Sequence, residues 1–488
     1  MKKNLIILFI VLLNVCNGQE MTGVITGNYA GVNSVFINPA LMIDSKVYLD
    51  INFISADVFF QNNYLYLPKE DFGFFNLFKK DYTFKKYGNK DWILEMYRNS
   101  NSKEIFSQQR INGPSIMYSS NDFAFAFYNS ARVITSIENL PINLATLIYE
   151  GFEYIPQHNQ RFDNNNIKVT SMAWTEFGLS FTKNLKKYNR NRWDAGLTIK
   201  RLFAFEGVYV NIDNLNYEIT NDSVVDIYNL NAELGYSMPI NYSNNDFPDD
   251  GKFFKGKGWG FDFGITYQKK EKGQSDHRFK KNCEKEYEDY LYKIGLSFID
   301  IGQIKFTENA EKHIFDNVNV DWKNLDTVAV TSVHQLVQTF SDVFLNDPNA
   351  SLKAYEFSIF LPSAFSLQFD YHYFKYWYFN ATAIMPLKIS KIGIKRPSQI
   401  LFTPRYEKSN IEINVPVSLY DFKYPRLGFS IRYYFFTIGS DNLLSYFGIN
   451  DFTGFDFYFA IKFNLLKGRC NRYKSSKGCE NLEYSKSM

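Results

Sequence analysis

Five histidines, His158, His277, His313, His334 and His372, are the groups best suited to proton transfer at neutral pH. A hydrolase built on one of them needs a serine or cysteine beside it in the fold, and the sequence advertises no such pair. Only His372 falls inside a strand-like pattern, on its polar face, where a hydrogen-bonding role is expected. Metal chemistry has no better footing, because there is no Cys-x-x-Cys and no histidine cluster. The four cysteines are Cys16, Cys283, Cys470 and Cys479. Cys470 and Cys479 lie close together in a polar tail and are a candidate disulfide for an oxidising compartment, with free or metal-bound thiols as the alternative. No catalytic residue, metal or cofactor is therefore expected. The net charge of +3 over 488 residues, with no basic stripe, gives no ground for a nucleic-acid partner.

The informative charges sit inside alternating segments. In "GFDFYFAIKFNLL", Phe455, Phe457, Phe459, Ile461, Phe463 and Leu465 share one face, while Asp456 and Lys462 share the other. A period of two over that length defines a strand. "RLGFSIRYYF" puts Arg432 on the polar face, "GWGFDFGITYQ" puts Asp262 there, and "SLQFDYHY" puts Asp370 and His372 there. A sandwich also alternates. Here the segments reach the roughly 9–11 residues of a tilted membrane strand, and their apolar faces draw on 48 Phe and 35 Tyr, as a lipid-facing band with aromatic girdles requires. A lysine or arginine on the lipid face at the bilayer midplane costs about 2–4 kcal/mol. Asp262, Asp370, His372, Arg432, Asp456 and Lys462 are accordingly expected to line the lumen.

The expected fold class is all-β: an outer-membrane β-barrel of about fourteen antiparallel strands with an N-terminal hatch or plug. The strands are placed at 46–61, 110–120, 122–137, 167–183, 191–205, 258–269, 288–304, 353–361, 365–374, 376–386, 398–407, 410–420, 425–438 and 454–466. Short turns are expected at Ser120-Asn121, Pro362-Ser363 and Tyr424, and long loops at 62–109, 138–166, 206–257 and 305–352. A hairpin at 206–238, rising above the membrane, leaves sixteen strands open. Two loop segments, "NLATLIYEGF" and "VHQLVQTFSDVF", have helical apolar spacing.

Lys2 and Lys3 precede the apolar run Leu5 to Leu13, which is too short to span a bilayer. Residues 1–18 read as a signal peptide cut before Gln19. Residues 19–45 form the hatch segment, 46–466 the barrel and 467–488 a periplasmic tail. Within the hatch, "NYAGVNSVFINPALM" sets Asn38 as a helix cap and Pro39 at the first helical position. Ala40 permits close approach to a wall. Fourteen strands enclose more space than wall side chains fill, so this segment is expected inside the lumen.

These residues resemble the hatch of the FadL family of outer-membrane barrels and of PorV-type barrels of the type IX secretion system, with Asn38, Pro39 and Ala40 as the shared motif. Gly then Leu commonly follow in that family, whereas Leu41 follows directly here. Over nearly the whole chain, "FSIFLPSAFSLQFDY", "INVPVSLYDF" and "FTIGSDNLLSYFG" with "GFDFYFAIKF" resemble an uncharacterised family of outer-membrane barrels from Bacteroidota. The resemblance implies a Gram-negative outer-membrane location and a FadL-like channel passing a small hydrophobic ligand. The alternative it implies is a plugged scaffold for surface-protein secretion or gliding proteins. Outer-membrane lipid is the expected surrounding partner in both cases.

Overall fold

The structure, a computed structural model, describes residues 21, 23–71, 83–88, 90–270, 289–324 and 331–465. The expected signal peptide, Cys283, Cys470, Cys479 and the C-terminal tail lie outside the described residues.

Alternation of apolar and polar residues is realised as a closed antiparallel barrel of fourteen strands. They are β1 (Leu49–Asn62), β2 (Lys103–Asn112 with Ser115–Ser119), β3 (Phe123–Leu140), β4 (Arg161–Tyr188), β5 (Asn191–Asn221), β6 (Gly256–Lys270) and β7 (Tyr290–Phe306), followed by β8 (Phe357–Phe360 with Ala364–Phe374), β9 (Trp377–Pro386), β10 (Gln399–Glu407), β11 (Ile411–Asn414 with Val417–Tyr420), β12 (Tyr424–Leu427 with Phe429–Tyr433), β13 (Phe436–Ser440) and β14 (Gly454–Leu465). Closure is the antiparallel pairing of β1 with β14, in register from Leu49↔Leu465 to Ile54↔Ile461. No described helix is long and apolar enough to cross a membrane, which says nothing of the barrel strands. Their outward side chains, among them Leu179, Phe181, Phe261, Phe263 and Phe402, stay exposed, and at the short-turn end aromatic rings meet side by side, as in Trp193–Tyr267 at 4.8 Å and Trp377–Tyr406 at 5.2 Å.

The strand total agrees with the sequence expectation, but two boundaries do not. Segments 353–361 and 365–374 are one strand, because both halves of β8 pair with β7. Pro362-Ser363 is a kink within it, not a turn. Proline has no N–H for the ladder, and Pro114 in β2 and Pro416 in β11 interrupt their strands in the same way. Conversely, 425–438 is two strands joined by a turn at 434–435, where Tyr434 adopts φ +49°. No Gly, Asn or Pro marks that turn. The turn expected at Tyr424 spans 421–423, with Tyr424 opening β12.

Long connections leave from the opposite end. The upper part of β5 pairs with Val224–Ser237, which pairs in turn with Ala310–Trp322. These strands rise off the barrel as an extension of the same hydrogen-bonded sheet and do not enter its wall, so the wall stays at fourteen. The two helices expected in loops are present as α1 (Ile142–Glu150) and α2 (Val333–Leu345). Phe340 and Phe344 of α2 pack edge-on against Trp322 at 5.6 and 5.4 Å.

Candidate functional site: the plugged lumen

The N-terminal segment fills the lumen at the short-turn end. Two 3₁₀ turns, Gly31–Phe36 and Pro39–Asp44, are buried throughout. Val32, Val35, Phe36, Ile37, Leu41 and Met42 form one apolar cluster with wall residues that include Met117, Ala124, Ala126 and Ala364. Phe36 meets Tyr128 edge-on at 5.0 Å. Small alanines on the wall leave the room that these larger plug residues occupy.

Asn38 fixes the centre of the plug. Its Oδ1 accepts the Ala40 N–H at 2.9 Å and its Nδ2 donates to Gln368 Oε1 at 2.9 Å. The Pro39 carbonyl accepts from the Thr182 hydroxyl at 2.6 Å, and the Ile37 carbonyl accepts from Ser297 at 2.5 Å. Three adjacent strands receive this turn on glycine. A Cβ on Gly264 would lie 1.9 Å from Asn38 Oδ1, one on Gly295 3.0 Å from Asn38 Nδ2, and one on Gly196 2.6 Å from the Ala40 nitrogen. The wall is dented where the Asn-Pro-Ala turn touches it.

Ion pairs anchor both flanks. Asp44 receives Lys270 at 3.3 Å and Lys293 at 3.1 Å. Lys46 reaches Glu407 at 2.9 Å, and Glu407 also pairs with Arg405 at 2.9 Å and accepts from the Asn28 amide. Burial alone would raise the Asp44 carboxyl, but Lys270, Lys293 and Arg192 around it hold it well below the usual carboxylate range. A depressed acid stabilises the docked state above its undocked pKa, about 4, and that contribution is lost as pH falls toward the docked value. Maleimide labelling of a cysteine at Ala30, divided by that of the same cysteine in the urea-unfolded protein at each pH so that the thiolate fraction cancels, is therefore expected to stay flat from about pH 8 to 5 and to rise below about pH 4. The acid-induced rise should be smaller in Asp44→Asn.

Of the six residues expected to line the lumen, all are buried and lie on the inner face. Asp370 binds Arg405 at 3.1 Å and Tyr290 at 3.0 Å, and Tyr290 donates to Asn28 of the plug. Arg432 pairs with Glu412 at 3.1 Å and lies 4.5 Å from the Tyr29 ring. Lys462 pairs with Asp50 at 3.3 Å and donates to the Ala30 carbonyl. Those three touch the plug or its direct partners. Asp262 sits in a separate layer above it, His372 stacks on Tyr378 at 4.4 Å near the short-turn rim, and Asp456 lies beside Asp441 and Arg426.

The layer holding Asp262 is a second barrier. Arg132 and Asp300 form two bonds of 2.9 Å, Lys200 joins Asp300 at 2.6 Å and Asp262 at 2.8 Å, and Glu176 faces Arg132 at 3.4 Å. Two residues further up the strands, the inner face turns apolar: Phe59 follows Asp57, Ile134 follows Arg132, Trp174 lies beyond Glu176 and Leu202 follows Lys200. Ile359 and Leu361 of β8 complete this layer, together with Ile394 from loop 387–398. That loop crosses the mouth: the Ile394 N–H donates to the Phe360 carbonyl at 3.2 Å, and the Lys395 N–H to Ser136 Oγ at 3.4 Å.

Strand parity applied to every segment would have found Arg132, Glu176 and Lys200. The same parity places Glu407 on the inner face with Thr403 and Arg405, and loop 387–398 carries a visible charge run, but nothing in the local sequence marked Lys46 or Asn28. One hydrolase-like chain was also missed: His313 contacts Ser351 at 3.0 Å and Glu311 at 3.2 Å, on the strand Ala310–Trp322. Ser351 is fully buried, its N–H is held by Ser341 and its carbonyl accepts from Ile314, so the chain ties α2 to the loop sheet and offers no nucleophile to a substrate.

A fourteen-stranded membrane barrel whose lumen is closed by its own N-terminal segment is the class that this geometry defines. The chain belongs to a family of unknown function, DUF5723, whose model matches residues 39–441. No curated protein matches it in sequence. Among solved structures it is similar to the P. putida toluene transporter TodX, at 8% identity over 90% of this chain and 95% of that one, with a TM-score of 0.40. A Pseudomonas aeruginosa FadL homologue is 10% identical over 90% and 96% of the two chains at TM-score 0.40, and the Ralstonia pickettii toluene transporter TbuX 7% over 90% and 94% at 0.39. Likeness of this degree assigns no activity to this chain.

Proposed function

We propose that the protein is an outer-membrane channel for small hydrophobic molecules, with residues 23–45 as its hatch and the apolar layer above as its binding level. The observation that carries this reading is the layer itself. Barrel interiors that face water are polar, yet here inward positions on β1, β3, β4, β5, β7 and β8 are apolar at one level, directly below the mouth. β8 is kinked at Pro362, next to Leu361 of that layer. The charge layer and the hatch beneath close the route until the hatch moves.

The test uses the unaltered protein in nanodiscs with a benzophenone-bearing alkane as a photoreactive probe. Crosslinks at Ile359, Leu361 or Ile394 are expected. Labelling confined to lipid-facing residues such as Phe261 and Leu367 sinks the reading. A second reading, a plugged scaffold for surface proteins, is favoured by one observation: the extramembrane sheet has its own core of Tyr217, Ile227, Phe315 and Val318. A stoichiometric protein partner that dissociates when this sheet is deleted, with no luminal crosslink, would select the scaffold.

A further inference from the structure

Loop 387–398, "LKISKIGIKRPS", carries four cations in nine positions: Lys388, Lys391, Lys395 and Arg396. Arg396 is buried and Lys395 half-buried, while Lys388 and Lys391 are exposed at the rim. The loop folds over the mouth and encloses, with the tops of β3, β4, β8 and β9, a cavity of about 240 Å³. Five cations line this cavity, the four of the loop and Lys168 of β4, against one carboxylate, Glu138.

The surrounding acids do not balance that excess. Glu138 lies 3.9 Å from Lys395, which also takes Glu104 at 3.3 Å. Asp213 reaches only Lys391, at 3.8 Å. Asp300 lies 4.0 Å from Arg396 but is already held by Arg132 and Lys200. The remaining two ammonium groups, Lys168 and Lys388, lie beside each other and share the single carboxylate of Glu138 with Lys395, and Lys168 Nζ donates to the Lys391 carbonyl at 3.2 Å. Two like charges gathered by separate elements of the chain repel unless an anion sits between them. The rest of the wall is apolar, from Phe360, Leu361, Pro386 and Leu387.

We infer that this cavity is a binding site for a phosphate-class anion, recognised by Lys168 and Lys388 with Lys391, Lys395 and Arg396 around it. A compact multivalent anion satisfies several ammonium groups at once through charge-assisted hydrogen bonds, which a single point charge does not. The group belongs either to a phosphorylated lipid of the outer leaflet, whose stem lies along the apolar wall, or to a soluble phosphate. The site stands independently of whether the barrel conducts.

The experiment uses the full purified protein in dodecyl maltoside, titrated in parallel with inorganic phosphate, dihexanoyl phosphatidic acid and dihexanoyl phosphatidylcholine. Binding is read by native mass spectrometry. Binding of phosphatidic acid alone assigns the site to a lipid headgroup, and binding of both phosphate and phosphatidic acid assigns it to phosphate in general. In either case Lys168→Gln with Lys388→Gln should weaken binding about tenfold or more, two charge-assisted contacts being lost. In the unaltered protein, the bound probe should protect Lys168 and Lys388 from acetylation while leaving exposed Lys353 reactive. That measurement decides the matter even if the double variant fails to assemble. Equal binding of all three probes, no binding, or no protection of these two lysines overturns the assignment.

Discussion

Replacing Gly264 with valine is expected to unplug the barrel without unfolding it. The clash is with the plug: the new Cβ would stand 1.9 Å from Asn38 Oδ1, while Pro39 Cδ lies 3.1 Å away. The strand itself is indifferent, because the backbone of Gly264 keeps its pairing with Gly196 on one side and Ser297 on the other, and valine favours strands. Overpacking of this kind costs about 1–3 kcal/mol, enough to raise the undocked fraction roughly 5- to 150-fold. Displacing Asn38 also removes its bonds to Gln368 and to the Ala40 N–H, so the larger figure is the expected one. Maleimide labelling of a cysteine at Ala30 of the plug should rise by that factor, with the heat-modifiable mobility of a folded barrel retained on gels; conductance is expected to stay low, because the charge layer and the apolar layer above the plug remain in place. Gly260→Ala on the same strand is the control, since its Cβ would meet the tip of Leu361 at 3.1 Å and Lys200 in ordinary contact at 3.5 Å, and no atom of the plug. Equal labelling of the plug cysteine in the two variants would show that the dent does not seat the hatch.

How much of this was legible beforehand depends on whether the information was local. Alternation is local, so the lumen side of Asp262, Asp370, His372, Arg432, Asp456 and Lys462 followed from parity along single strands. The Asn38-Pro39 turn was local too, because a cap and its proline neighbour specify their own backbone. The dent that receives it was not. Gly196, Gly264 and Gly295 are far apart in sequence and meet only through the registers of β5, β6 and β7. Gly264 shares the polar face of its strand with Asp262, and nothing local says why glycine stands there. The same holds for Glu407, which binds Lys46 and Asn28 across some 360 and 379 residues of chain. The errors in strand boundaries have a physical cause as well. A proline inside β8 interrupts hydrogen bonding in the way a turn does, while Tyr434 accepts a left-handed backbone that usually advertises itself with glycine or asparagine. Loop 387–398 carried an obvious charge run, but only its position over the mouth makes that run a lining.

Asp300→Asn is expected to be the most destabilising single change in the wall, although it alters one atom. Asp300 is the shared acid of the charge layer, taking two bonds from Arg132 and one from Lys200 while lying 4.0 Å from Arg396 of the mouth loop. Its backbone is left-handed, φ +56°, a conformation that asparagine tolerates as well as aspartate. The substitution therefore leaves the chain path in place and removes charge alone. Arg132 would then keep only Glu176 and Lys200 only Asp262 among the acids of this layer, all of them buried. Breaking a buried ionic network from one side costs about 3–5 kcal/mol, because the abandoned partner stays buried and uncompensated. Urea unfolding in detergent micelles, followed by tryptophan emission from the adjacent Trp174, should show a loss of that size. Adding Arg132→Met should return part of it, since an apolar side chain in place of the orphaned guanidinium continues the layer of Ile134 and Trp174 above. A loss below about 1 kcal/mol, the range of a surface ion pair, would show that water reaches this level of the lumen and that the apolar layer above it does not form a dry seal.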